Sequence, residues 1–134
     1  MSKTLICTVG LPYSGKSTWA KTQGFPIVNP DSVRLAIHGE RYIAQAERFV
    51  WATVYAMIEA LFLAGHDTVI LDSTATTRKR RAEFKSDKWG TVFKLFHASK
   101  AECLKRAEKD ERIWPFIEKM AAQFESLGPD EIEY

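Results

Sequence analysis

The sequence is short of what marks a secreted, membrane-spanning or metal-templated protein. Its 134 residues hold only two cysteines, Cys7 and Cys103. Neither has a Cys-x-x-Cys partner or a histidine cluster beside it, so structural zinc and a disulfide framework are not expected and both are read as reduced thiols. No apolar run reaches the roughly eighteen residues of a spanning helix. The first residues also lack the charged, apolar and small-residue succession of an export signal. The expected compartment is therefore the cytoplasm, with no membrane attachment. Repeats and low-complexity tracts are absent. His38, His66 and His97 stand apart, without a second ligand at metal spacing, and read as capping or solvent-facing residues.

Net charge is scarce too, at +2, too little to mark a nucleic-acid binder by itself. Its distribution is uneven. Arg78, Lys79, Arg80, Arg81, Lys85 and Lys88 crowd one segment, and Glu125, Asp130, Glu131 and Glu133 lie near the C-terminus. A solvated helix face is the ordinary meaning of such a run, and a footprint on a phosphate backbone is the alternative.

What is present is enough apolar residue, 46%, for one core. A single domain over residues 1–134 is expected, with no room for a second catalytic domain. The pattern predicts strands at 4–9, 25–29, 68–72 and 91–97. It predicts helices at 16–23, 31–38, 41–64, 77–88, 101–111 and 115–127. Strands alternating with helices imply a three-layer α/β/α sandwich around a parallel sheet of about four strands. The long helix carries two apolar stripes, Ile43, Val50, Val54, Met57, Leu61 and Trp51, Tyr55, Ile58, Phe62. They read as core packing on two sides rather than as an oligomer contact.

Between the first strand and the first helix stands Gly10-Leu11-Pro12-Tyr13-Ser14-Gly15-Lys16-Ser17, followed by Thr18. This is the Walker A pattern in the context its chemistry requires. The two glycines are expected to allow conformations a Cβ would forbid, so that successive amides point at phosphate oxygens. The helix N-terminus adds positive potential. Lys16 is expected on the β- and γ-phosphates of ATP and the Ser17 hydroxyl on Mg²⁺.

Asp72 closes the apolar run of the third strand, at the carboxyl edge of a parallel sheet where ligands of such folds bind. It is the expected second contact to Mg²⁺. Ser73 and Thr74 follow at the same edge as candidate substrate contacts, and with Thr76 and Thr77 they are also candidate caps for the next helix. Asp31 and Arg34 follow the second strand at i, i+3 spacing, on one helix face. One can act as base toward an acceptor hydroxyl and the other as a fork for an acceptor phosphate. An N-cap aspartate beside a surface arginine explains the pair equally well.

The segments 9–18, Asn29-Pro30-Asp31-Ser32-Val33-Arg34, 69–74 with Arg80-Arg81, and Leu104-Lys105-Arg106 resemble, in order and spacing, the kinase domain of the phage-type polynucleotide 5′-kinases. The resemblance spans most of the chain. It implies a P-loop kinase that moves the γ-phosphoryl group of ATP to the 5′-hydroxyl of a DNA or RNA end. Asp31 is then the general base, Arg34 the acceptor clamp, and Lys16 and Arg106 the cations on the transferring group. The implied lid covers about 104–114. The family's second lid arginine falls where this sequence has Asp110, and Arg112, two residues on, is the candidate replacement. The Asp-x-Asp-x-Thr motif of the phosphatase domain that often accompanies these kinases does not occur, so the kinase part alone is expected.

Two other readings use the same loop. In one the acceptor is a nucleoside, sugar or other small metabolite. In the other the chain binds or slowly hydrolyses ATP and signals through a partner. Trp51, Tyr55, Trp89 and Trp114 could stack a base, but their spacing suits a core.

Overall fold

The computed structural model describes residues 2–134. β1 (Thr4–Val9) is the centre of a wholly parallel sheet in the order β2-β3-β1-β4-β5. Its partners are β2 (Ile27–Val28), β3 (Thr68–Leu71), β4 (Gly90–Leu95) and β5 (Ile132–Glu133). The helices are α1 (Lys16–Thr22), α2 (Pro30–His38), α3 (Glu47–Leu63), α4 (Arg78–Ala82), α5 (Lys100–Arg106) and α6 (Trp114–Gln123). The sheet has five strands where about four were expected. The addition, β5, is two residues long and half acidic, so it offers no alternation to read.

Strand alternation sends the sheet's side chains into two layers. Leu5, Cys7 and Val9 of β1, with Val69 and Leu71 of β3 and Phe93 of β4, face α2 and α3 in the larger core. Ile6 and Ile70 face Ala20 of α1 on the other side. A separate cluster of Leu11, Cys103, Ala107 and Ile117 seats α5 and α6 beside the phosphate loop.

α3 buries one side and not two. Val50, Val54, Ile58 and Phe62 repeat every fourth residue and lie in the core. Trp51, Tyr55 and Leu61 pack partly against it, while Met57 is 40% exposed and Ile43 precedes the helix. The first predicted stripe is therefore incomplete, without Met57 and Ile43, whereas Trp51, Tyr55, Ile58 and Phe62 of the second all pack on or in the core. No helix among the described residues is long and apolar enough to cross a membrane.

Three helices end earlier than the sequence pattern suggests, each where a tertiary bond takes a carbonyl or amide; after α5 it is the Ala107 carbonyl, which accepts from Trp114 Nε1 at 2.8 Å. The Phe84 carbonyl accepts from Trp89 Nε1 at 3.0 Å and Thr91 Oγ1 at 2.8 Å, so the chain after α4 turns into β4. The Glu125 amide donates to the Thr76 carbonyl at 2.8 Å, drawing the chain away from α6. The basic and acidic clusters then meet. Arg81 pairs with Glu131 at 2.8 Å, Lys85 with Asp130 at 2.6 Å, and Arg78 Nε donates to the Ser126 carbonyl at 3.0 Å. Arg80 pairs with Glu83 and Lys88 with Glu59, each at 2.7 Å. Five of the six basic residues are thus engaged within the protein, three of them with the C-terminal segment, which removes much of the strip that a nucleic-acid backbone could use.

Candidate active site

The loop between β1 and α1 wraps on itself. The two glycines serve different needs. Gly15, the N-cap of α1, has φ of 103° with open space around it, so conformation requires glycine there. At Gly10 the requirement is space, because a Cβ would lie 2.7 Å from Ser14 Oγ and 2.9 Å from Phe96 Cβ. Tyr13 is a non-glycine residue at φ 68°. Among the described residues no side chain caps the first turn of α1 and no acid lies within it, so its leading amides are left for an anion. Lys16 is buried and donates to the Leu11 carbonyl at 2.6 Å. Burial pushes its ammonium down to about 8, against the pull of Asp72. Tyr13, Gly15, Lys16, Ser17, Thr18 and Arg106 line an open cleft of about 540 Å³ over this loop. Leu11 is buried beneath it.

Asp72, at the end of β3, reaches the start of α1. Its Oδ2 accepts from Ser17 Oγ at 2.7 Å and from Asn29 Nδ2 at 3.0 Å. A hydroxyl and a carboxylate brought together in this way suit a hard cation, and Mg²⁺ fits this donor set. Thr8 holds the next residue: its hydroxyl donates to the Ser73 carbonyl at 2.8 Å and accepts from the Ser73 amide at 2.9 Å. The Ser73 hydroxyl is buried with no partner among the described residues. The Thr74 carbonyl accepts from the Gly10 amide at 3.0 Å, tying this edge to the loop.

Asn29, a residue to which sequence reasoning gave no role, joins Asp72 to the acceptor side. Its Oδ1 caps α2 by accepting from the amides of Asp31 and Ser32 at 2.8 and 3.1 Å. Pro30 occupies the first helical position, where its missing N–H costs nothing. Asp31 is thus not the N-cap, and its exposed carboxylate is left to pair with Arg34 Nη1 at 2.7 Å. Glu47, at the start of α3, grips the other edge of Arg34, accepting from Nε at 2.9 Å and Nη2 at 2.7 Å. These bonds outweigh burial and hold the guanidinium above its usual range. Trp51, one turn on, faces the guanidinium of Arg80 at 4.1 Å and that of Arg34 at 5.8 Å. Glu47 was missed because nothing local marks a glutamate at a helix start as an arginine's partner.

Arg106, expected as the first lid arginine, ends α5 and donates to the Tyr13 carbonyl of the loop at 3.0 Å. Arg112 does not. It is drawn to Glu40 at 3.7 Å, away from the lining of the cleft.

A central parallel strand, a phosphate cradle, a helix and a carboxylate on the adjoining strand place the chain among nucleotide-binding proteins of the P-loop kinase fold. Residues 5–113 match the family model described as an AAA domain, and the chain belongs to that family. A chain in a solved Pnkp1/Rnl/Hen1 complex is 28% identical at a TM-score of 0.70, over 78% of this chain and 39% of that one. A chain in the Pnkp1/Rnl/Hen1 RNA repair complex is 25% identical at 0.74, over 91% and 44%. This chain therefore spans about two-fifths of the length of both. A gluconokinase from Sinorhizobium meliloti 1021, 17% identical at 0.66 over 97% and 80%, shares the fold.

Proposed function

We propose that the chain is an ATP-dependent phosphotransferase whose acceptor is the 5′-hydroxyl of a nucleic-acid end. The observation that carries the acceptor assignment is the Asp31 and Arg34 pair, with Arg34 clasped by Glu47 and the α2 terminus bonded through Asn29 to Asp72. In this reading an exposed carboxylate, paired with the guanidinium it helps aim, faces the acceptor beside the triphosphate edge. The likeness to chains of an RNA repair complex supports the same reading.

In this reading the loop amides of residues 10–15, with Lys16, Ser17 and Thr18, hold the triphosphate. Ser17 and Asp72 would hold Mg²⁺, which would supply charge neutralisation on the phosphate oxygens. Arg34 orients the acceptor through its nearest phosphate, and Ser73 and Thr74 line the same edge. Asp31 takes the proton of the 5′-hydroxyl as its oxygen bonds to the γ-phosphorus. The bond to the β-phosphate oxygen breaks and ADP leaves. Lys16 and Arg106 stabilise the charge that gathers on the transferring group. Intracellular ends of DNA or RNA are the expected partners.

A small-metabolite acceptor is the second reading. It is favoured by one observation: Arg34 is already flanked by two carboxylates, which lowers its appetite for a further phosphate. Radiolabelled ATP offered with 5′-hydroxyl oligonucleotides, 5′-phosphorylated controls, nucleosides and sugars decides between them. Label on the 5′-hydroxyl oligonucleotide alone is expected. Label on a small molecule alone replaces the nucleic-acid reading, and ATP binding without any labelled product removes the transferase.

A further inference from the structure

A triphosphate brings several negative charges to the cleft, and its lining holds two cations, Lys16 and Arg106. The lid turn that follows Arg106 carries an acid, Asp110, whose field alone would repel such a ligand. Its surroundings offset that. Asp110 Oδ2 accepts from the Tyr13 hydroxyl at 2.9 Å, and Arg41 Nη1 lies 2.9 Å from Oδ2 and 3.2 Å from Oδ1. Arg41 belongs to the loop between α2 and α3, on the acceptor side of the molecule.

Three successive residues of that loop meet the lid. Glu40 faces Arg112 at 3.7 Å, Arg41 faces Asp110, and the Tyr42 ring lies edge-on to Phe116 at 5.9 Å. The ion pair turns its cation outward, since the Arg41 side chain is 47% exposed and that of Asp110 only 19%. Asp110 engages one nitrogen of Arg41. Among the described residues, Nε and Nη2 have no partner. The chain of bonds from Arg106 to the Tyr13 carbonyl, and from the Tyr13 hydroxyl through Asp110 to Arg41, thus ends in an open guanidinium edge beside a residue that lines the cleft.

We propose that Arg41 is a further phosphate-binding residue of the donor site, supplied by the α2–α3 loop and aimed by Asp110 and Tyr13. Asp110 is then a positioning group. Its charge is cancelled by Arg41, and the net donor surface of the mouth gains the N–H groups that Arg112 does not bring. The proposal rests on the nucleotide-binding reading of the cleft.

The test is calorimetric titration of the full chain with MgATP and with AMP, comparing wild type, Arg41→Ala, Arg41→Lys and Lys109→Ala. Lys109 lies in the same turn, exposed, so its removal controls for the loss of one positive charge. Arg41→Ala is expected to weaken ATP binding about tenfold, as for one lost charge-assisted contact, and to leave AMP binding within about twofold. Arg41→Lys is expected to recover part of the loss, and the unfolding temperature of the alanine variant to match wild type. ATP binding by Arg41→Ala equal to that of wild type overturns the proposal. So does an equal loss in Lys109→Ala, or a loss of AMP binding as large as that of ATP. Failure of the wild type itself to bind MgATP overturns the nucleotide reading and this inference together.

Discussion

Two arginine clusters in this molecule use the same chemistry to opposite ends. Arg81 is fully buried and spends its donors on Glu131, the Ala75 carbonyl at 2.8 Å, and the carbonyls of Glu125 and Ser126 at 2.9 and 3.1 Å. It anchors Ala75, held at φ 44°, and the chain that leads to β5. Arg34 is clasped by Asp31 and Glu47 but remains partly open at the sheet's ligand edge. A guanidinium whose acceptors are all backbone and buried carboxylate is a structural rivet. One held by side-chain carboxylates along two edges is aimed and keeps N–H groups for a ligand.

Breaking the rivet has the largest expected effect. Glu131→Ala leaves a buried cation without its counter-charge, and is expected to cost about 3–5 kcal/mol of stability, read by denaturant unfolding. Burial alone would raise the Glu131 carboxyl, yet the bonds from Arg81 and the Gly128 amide hold it below its usual range. Its contribution is therefore complete above the ordinary glutamate value and lost as pH falls through the depressed one. The variant should lack that acid sensitivity.

On the open cluster the expected losses are functional. Asp31→Asn is expected to slow phosphoryl transfer by about a hundredfold or more, with stability within about 0.5 kcal/mol, since the side chain is exposed. Full activity in this variant would remove the base assignment. Glu47→Gln keeps one acceptor oxygen for Arg34 but loses the charge. It is expected to raise the acceptor KM about tenfold while kcat and the ATP affinity change little. A drop in kcat alone would mean that Glu47 does not act through Arg34.

The smallest effect sharpens the contrast with a third cation. Lys16, lowered to about 8 from 10.5 by burial, is neutral in the free protein above that value. Phosphates favour its charged form, so ATP binding at about pH 9 is expected to take up a proton, seen as a heat that varies with the buffer's ionisation enthalpy. Affinity should fall as pH rises past 8. For folding the sign is the reverse: the unfolded chain binds more protons between 8 and 10.5, so the burial penalty is full below that window and fades across it.

The loop, the strand before it and the carboxylate after β3 were legible because each is a local pattern. Walker A spacing, an apolar run and an acid at a strand's end need no knowledge of the rest of the chain. The two-residue β2 and β5 carry too little pattern to bound, and the ends of α4 and α6 were overridden by bonds from Trp89 and Thr91 to the Phe84 carbonyl and from the Glu125 amide to the Thr76 carbonyl. The basic and acidic clusters were visible as charge, but their mutual pairing was not.

By itself the sequence determined the layered α/β architecture, the phosphate cradle and the identity of Lys16, Ser17 and Asp72 as its neighbours, because short-range periodicity and spacing dictate backbone form. Only the tertiary structure decided that Asn29 links Asp72 to α2, that Glu47 grips Arg34, and that Arg41 sits on Asp110. Such partners are separated by 43, 13 and 69 residues. Their meeting depends on how the parallel strands register and where the crossovers return, and no window of the chain contains that information.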